Sequence, residues 1–416
     1  MAPPSARELA FTALSHWRRT DRFADAILQQ LLSHAELSSS DRAFATELFY
    51  GILRNLTLLD FWIDHLRSGS IEHDSRDLLR LGLYQLFLLR TPGHAAVFET
   101  VELGGRRKRP LINGVLRAAL RRSAELQAAA ASEGLATRWS HPEFLVERWT
   151  QTYGAEAAAA LCAWNNKPAP LYARVNLLRT TVEAFLGANS TAKQLDQLPR
   201  FVRLETIPTE ALARGDCYVQ DPSTATACEL LDPQPGETVL DACAAPGGKT
   251  SYLADLMHNS GDVVACDRNP ARLEILRENL HRLGATSGRV LLQDWMANES
   301  SGALTAGSFD RILVDAPCTN TGVMRRRVDL RWRLQSKDFA RMRHEQLTIL
   351  RSVVPFLKPG GVLVYSTCSM ESEENEVVVA QVLRDAPFLR LSEQRSVLPF
   401  RDHYDGAFAA KLTRVT

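Results

Sequence analysis

From the N-terminus to about residue 140, apolar residues recur at helical spacing. Leu9, Phe11 and Leu14 form one such stripe, and Phe44, Leu48, Phe49, Ile52 and Leu53 another. Ser40-Asp41 ahead of Phe44 reads as a helix start, and Thr91-Pro92-Gly93 as a stop. The alanine-rich residues 126–134 end this region as a helix or a linker, and His141-Pro142 opens an amphipathic helix running to Trp164. Beyond Asn165 the period shortens, and residues 172–176, 201–204 and 217–220 read as strands of a small α/β segment. From Asp221 a regular alternation sets in. Short β-branched runs at 238–243, 262–267, 289–294, 310–315 and 361–366 are separated by helical stretches such as 269–283, which carries Leu273, Leu276, Leu280 and Leu283. Strands that are apolar on both faces and alternate with helices predict a doubly wound parallel sheet. The pattern therefore predicts a helical domain over 1–140, a linker helix and small α/β subdomain over 141–220, and a Rossmann-like α/β domain over 221–416.

Composition narrows the class without changing this picture. At 45% apolar and 23% charged residues the chain is that of a folded protein. With a net charge of +1, any nucleic-acid surface has to be local. No apolar run approaches the ~20 residues of a membrane span, and the first residues lack the layout of a signal peptide. A cytoplasmic monomer that does not engage membranes is expected. Seven cysteines, odd in number and scattered without a CxxC pair, argue against a disulfide framework or a structural zinc site. The histidines are isolated, so no metal is expected.

Candidate chemistry gathers at the ends of the predicted strands. Asp241, Asp267, Asp294 and Asp315 each close one, at the edge where open α/β sheets bind ligands. A single such aspartate is more often a helix cap; four in succession favour a ligand site. The first strand runs into Cys243-Ala244-Ala245-Pro246-Gly247-Gly248-Lys249, whose glycines permit a tight turn and close backbone approach. Asp267 follows Gly247 by 20 residues, the spacing at which a carboxylate meets ribose hydroxyls. An adenosine-bearing ligand is implied. A P-loop would need glycine where Cys243 stands, and the nicotinamide fingerprint is absent. S-adenosylmethionine and ATP both remain open on the loop alone.

Two cysteines favour the former. Cys318 follows the fourth strand in Asp315-Ala-Pro-Cys, and Cys368 follows the fifth in Ser366-Thr-Cys-Ser. Neighbouring strands lie ~5 Å apart, so both thiols can face one pocket. A lone cysteine is usually a small core residue, but a pair at adjacent functional edges suits covalent catalysis. A thiolate adding to C6 of cytosine makes C5 nucleophilic enough to accept a methyl group, and Asp315 is placed to bond N3 of that base. Which thiol attacks stays open on these grounds.

The motifs CAAPGGKT, DAPCTNTGV and STCS, with Val219-Gln-Asp-Pro-Ser before the sheet, resemble the RNA 5-methylcytosine methyltransferase family. They are closest to its bacterial RsmB branch, which modifies small-subunit ribosomal RNA. The resemblance spans nearly the whole chain. It implies an all-α NusB-like RNA-binding bundle, similar in Asp41-Arg-Ala-Phe and Ile112-Asn-Gly-Val-Leu-Arg, a small RRM-like α/β segment, and a Rossmann-like class I methyltransferase domain. It assigns S-adenosylmethionine to Cys243, Ala244, Ala245, Pro246, Gly247, Gly248, Lys249, Asp267, Asp294 and Asp315. It makes Cys368 the nucleophile and Cys318 the residue assisting release, on unassembled 16S rRNA. Relatives carry Ser and a small residue where this chain has Thr319-Asn320, and His-Pro-Asp where it has Arg327-Val328-Asp329. Alternatives within reach are a transfer-RNA methyltransferase and a non-catalytic assembly or antitermination factor.

Arg325, Arg326, Arg327, Arg331 and Trp332 follow Cys318 closely, a mix of basic and aromatic residues that suits a phosphate backbone and a stacked base. A solvated helix face is an equal reading of that stretch. Arg106-Arg107-Lys108-Arg109 form a second basic cluster. A base must leave its stack to meet a thiol, so loop or single-stranded RNA is the expected substrate.

Overall fold

The computed structural model describes residues 4–297 and 304–415. The chain forms two compact units, one of Met1–Lys167 with Met324–Arg333, the other of Pro168–Val323 with Leu334–Thr416.

The first unit is helical. Its opening helix, Ala6–Arg19, is fixed by a capping box in which Ser5 Oγ accepts from Glu8 N and Glu8 accepts from Ser5 N. The start expected at Ser40-Asp41 falls one residue earlier, with Ser38 capping helix Ser39–Arg54. Helix His73–Leu83 continues as a wider turn over Tyr84–Leu88 before the next helix, Gly93–Leu103. The alanine-rich stretch is helical as Ser123–Ser132. The single helix expected over 141–164 is two, Glu143–Tyr153 and Ala155–Asn165, broken at Gly154, whose φ of +86° ends the first. Leu9, Leu14, Phe49, Ile52, Leu59 and Ile63 share one buried core.

Residues 324–333 are part of this unit. Val328 is buried in its core, Asp329 accepts from Trp17 Nε1 and Ala24 N, and Trp332 Nε1 donates to Leu53 O at 2.8 Å. Arg331 is fully buried. Its guanidinium donates to Ser140 O, Asn165 O and Asn166 Oδ1, and burial pulls it down to about 9. Arg325 is also buried, donating to Lys167 O with its guanidinium 4.0 Å from the Trp164 ring centroid. The expectation that this whole stretch meets RNA is therefore corrected. Arg325, Arg331 and Trp332 are turned inward because backbone carbonyls and rings claim them, and Arg326 and Arg327 are the exposed members.

In the second unit, β1 (Leu171–Val175), β2 (Lys193–Leu195), β3 (Leu198–Leu204) and β4 (Cys217–Val219) form an antiparallel sheet in the order β2-β3-β1-β4. The larger sheet contains β5 (Thr238–Asp241), β6 (Asp262–Asp267), β7 (Gly288–Leu292), β8 (Phe309–Asp315), β9 (Leu357–Thr367), β10 (Leu389–Val397) and β11 (Ala407–Arg414). Their order is β10-β11-β9-β8-β5-β6-β7. The five strands from β9 to β7 are parallel, as the alternation predicts. The sheet as a whole is mixed, because β10 and β11 add antiparallel strands beyond β9. That hairpin was not legible: most of β10 is exposed and polar, so it carries little apolar alternation. Leu240, Ile312, Leu363 and Tyr365 bury one face of the sheet, and Val239, Leu253, Leu313 and Val364 the other.

The chain proceeds outward from β5 through β6 to β7, then crosses back to β8 on the other side of β5. The order reverses between β5 and β8, so the helices after these two strands leave a crevice at their C-terminal ends. That topology positions the site.

Candidate active site

Asp241 ends β5 and Asp315 ends β8, the two strands flanking the reversal. A pocket opens there, lined by Tyr218, Gln220, Thr224, Asp241, Cys243, Ala244, Ala245, Pro246, Gly248, Lys249 and Asp315. Six of the seven predicted loop residues line it together with Asp315. Gly247 stands behind the loop at φ +105°, the left-handed region, and a Cβ there would lie 2.7 Å from Leu276 Cδ1. At Gly248 a Cβ would come within 2.7 Å of the Tyr218 ring. Both glycines are thus demanded by close approach.

The charges lining the crevice decide what fits. Lys249 Nζ donates to Asp315 Oδ2 at 2.7 Å. Burial opposes its charge, but the adjacent Asp315 carboxylate outweighs that and keeps the ammonium well above its ordinary value. The lysine is committed to a carboxylate and is not available to a phosphate. Asp241 is fully buried, with Thr250 Oγ1 donating to Oδ2 at 2.7 Å and Oδ1 without a hydrogen-bond partner among the described residues. Burial chiefly, with Asp315 adding, raises its carboxyl to about 7 against the Thr250 bond. A pocket with more carboxylates than cations, one of them an orphaned buried oxygen, suits a cationic ligand and disfavours a polyphosphate.

Asp267 and Asp294 do not line this pocket. Asp267 Oδ1 accepts from Asn269 N, fixing the turn into helix Pro270–Leu283, and its Oδ2 lies 3.5 Å from Arg272. Asp294 lies past the end of β7 on the surface, where Oδ1 accepts from Met296 N. Arg174 of β1, fully buried, binds Ser251 and Asp255 on helix Gly248–Leu256 and fastens the small sheet to the helix behind the loop.

The two cysteines meet. β8 and β9 pair in parallel with Asp315 opposite Ser366, and the loops leaving them bring Cys318 Sγ within 3.3 Å of Cys368 Sγ. The loops are sewn together at buried Glu374. Its carboxylate accepts from Thr319 N and Gln346 Nε2, both at 2.9 Å, from Ser369 Oγ at 2.6 Å and from Thr319 Oγ1. Gly322 N donates to Cys368 O, and Gly406 N to Gly322 O. A Cβ at Gly322 would lie 2.7 Å from Cys368 O, so only glycine lets the strands of this knot touch.

The thiols are not equivalent. Cys318 is buried, whereas Cys368 is partly exposed. The hydrogen bond between Cys318 and Cys368, burial and the charge of Glu374 push the Cys318 thiol far above its ordinary value. Burial likewise pushes up Cys243, so the loop cysteine is no nucleophile. Sequence reading overlooked Glu374 and Gln346, which carry no motif signal of their own, and gave Thr319 and Ser369 no structural role although both lie in quoted motifs. It placed Asp241 among the strand ends without giving it a role.

A Rossmann-like sheet with an acidic crevice at its reversal and a thiol pair beside it defines a methyltransferase of the S-adenosylmethionine-dependent fold. Residues 228–413 match the 16S rRNA methyltransferase RsmB/F model, residues 4–121 the NusB family, and residues 141–206 the ferredoxin-like domain of RsmF/B-like methyltransferases. The probable ribosomal RNA small subunit methyltransferase B of Bacillus subtilis (strain 168) is 35% identical over 93% of this chain and 90% of its own. Ribosomal RNA small subunit methyltransferase B of Serratia proteamaculans is 37% identical over 91% of this chain and 92% of its own. A methyltransferase homolog protein from Pyrococcus horikoshii superposes with a TM-score of 0.59 at 31% identity, over 68% of this chain and 98% of that one. The chain belongs to the RsmB/F family of 16S rRNA methyltransferases.

Proposed function

We propose that this protein methylates C5 of a cytosine in 16S rRNA, using S-adenosylmethionine and a covalent bond from Cys368 to C6 of the base. The observation that carries the reading is the unequal thiol pair, 3.3 Å apart, at the strand ends beside the acidic crevice. The residues suit the cofactor. Asp241 Oδ1 and the carboxylate face offer partners to its ammonium and sulfonium charges, and the tight turn at Gly247 and Gly248 lets the backbone approach it. Bound there, the cofactor supplies an electrophilic methyl group. Asp267 and Asp294 each give one oxygen to a local backbone amide and keep the other for the cofactor.

Cys368 is the better nucleophile because it is the more exposed thiol and the Lys249 ammonium feels its charge. Its thiolate adds to C6, and the electron pair released towards C5 forms the new carbon–methyl bond. Asp315 is the candidate to bond N3 and hold the base. Water acting as a base takes the C5 proton, the C–H electron pair re-forms the C5–C6 double bond, and the C6–S bond breaks to expel the Cys368 thiolate. Cys318, held protonated, can supply a proton to the departing sulfur. Arg326 and Arg327 are the proposed phosphate contacts of the helical unit, with Arg106 and Arg107, which are also exposed.

The test uses protein-free 16S rRNA and the paired variants. Cys368→Ala abolishes methyl transfer while cofactor binding persists. Cys318→Ala still attacks but releases slowly, so a covalent protein–RNA adduct accumulates on denaturing gels. Transfer by Cys368→Ala removes the nucleophile assignment, and absence of an adduct removes Cys318 from release. Methyl groups on cytosine C5 of 16S rRNA, mapped by bisulfite sequencing, identify the product.

A further inference from the structure

The backbone of Asn320 is in the left-handed region at φ +57°. Asparagine tolerates that conformation better than other residues with a Cβ. Its side chain is doubly engaged. Nδ2 donates to Cys318 O at 2.7 Å, and Oδ1 accepts from Cys368 Sγ at 3.0 Å. The first bond fixes the sense of the second. Flipping the amide would set Oδ1 against the Cys318 carbonyl, two acceptors face to face, so the oxygen is the atom that must point at the thiol.

We propose that Asn320 is a positioning residue that holds Cys368 as a protonated thiol, aimed beside Cys318, until substrate arrives. The reading rests on Cys368 being the nucleophile. An amide oxygen can pair with S–H but only repels a sulfur lone pair. The groups facing Cys368 are therefore of opposite tendency: Asn320 Oδ1 and the protonated Cys318 from the loop after β8, and the Lys249 ammonium from the cofactor loop. Holding the thiol neutral has a clear use here. The same crevice receives a methyl donor, and an idle thiolate there would be open to alkylation. The base displaces the guard by occupying the space in front of Sγ.

The experiment measures site-resolved labelling of Cys368 by iodoacetamide at pH 7 in the full chain, read by peptide mass spectrometry, alongside methyl transfer. Only the thiolate reacts. Asn320→Gly keeps the left-handed backbone and removes the acceptor, so labelling accelerates about tenfold, equivalent to ~1.4 kcal/mol for one hydrogen bond. Asn320→Asp puts a negative charge at the same place and slows labelling below that of the unaltered protein. In Asn320→Gly, kcat for methyl transfer falls while KM for RNA changes less than about twofold, as expected of a group that acts on the nucleophile alone. Unchanged or slower labelling of Asn320→Gly overturns the proposal. So does faster labelling in both variants, which would mark a loosened loop and not a missing bond. Methyl transfer surviving in Cys368→Ala sinks the parent reading separately, because the labelling result depends only on the thiol and its neighbour.

Discussion

Replacing Asp241 by asparagine should stabilise the cofactor-free protein, and by an amount that depends on pH. The carboxyl is fully buried, accepts from Thr250 at one oxygen and has no hydrogen-bond partner at the other among the described residues. Its titration rises from 3.8 to about 7 on folding, chiefly through burial. Between those values the native protein holds a proton that the unfolded chain has released. Stability must therefore fall as pH rises through that window, at up to ~1.4 kcal/mol per pH unit. The whole displacement is worth ~4 kcal/mol, fully present below pH 4 and lost by about pH 7 to 8. Asparagine does not titrate, its oxygen can keep the Thr250 bond, and its amide can point into the open crevice. The variant should exceed the unaltered protein by only ~1 kcal/mol at pH 4.5 and by ~4 kcal/mol at pH 8, with no further change above that. Urea unfolding across pH 4.5–8.5 measures the difference. Parallel curves for the two proteins would refute the buried, proton-holding carboxyl. The same substitution should weaken S-adenosylmethionine binding by about tenfold in calorimetry, since a cation loses its charged partner.

Three further outcomes follow from the packing. Glu374→Leu strands Thr319 N and Gln346 Nε2 and should cost ~3–5 kcal/mol in urea unfolding, whereas Glu374→Gln, whose amide can face the two hydroxyls, should cost ~1 kcal/mol. Equal costs would contradict the loop-tying role. Gly322→Ala forces a Cβ to within 2.7 Å of Cys368 O and should slow methyl transfer at least tenfold, since a displaced nucleophile raises the barrier by ~1.4 kcal/mol or more. Arg331→Met should destabilise the helical unit by ~3 kcal/mol without altering the salt dependence of RNA binding, because that guanidinium serves buried carbonyls. Arg326→Ala with Arg327→Ala should do the reverse, lowering the slope of log affinity against log salt by ~0.7–0.9 for each phosphate left without its cation. A smaller slope for Arg331→Met would contradict its inward assignment.

What the sequence determined about this protein was local and periodic. Helical spacing identified the N-terminal bundle, and both-face apolar runs identified the five parallel strands and the aspartates that close four of them. The glycine-rich turn after β5 and the two cysteines after β8 and β9 were visible because they sit at strand ends, where topology leaves few places to go. The antiparallel hairpin of β10 and β11 was hidden because an exposed edge strand has no apolar period. Tertiary structure decided everything that depends on which distant groups meet. Asp241 became the orphaned carboxylate of the crevice, while Asp267 and Asp294, alike in sequence position, were taken up by nearby backbone amides. Arg331 and Arg326 look the same along the chain, yet one is buried among carbonyls and the other exposed. The difference in burial between the two thiols also came from the fold, while their order as nucleophile and helper is what the resemblance implies. Burial and Glu374 hold Cys318 protonated, which no spacing of residues could convey, because desolvation is a property of the surroundings and not of the chain.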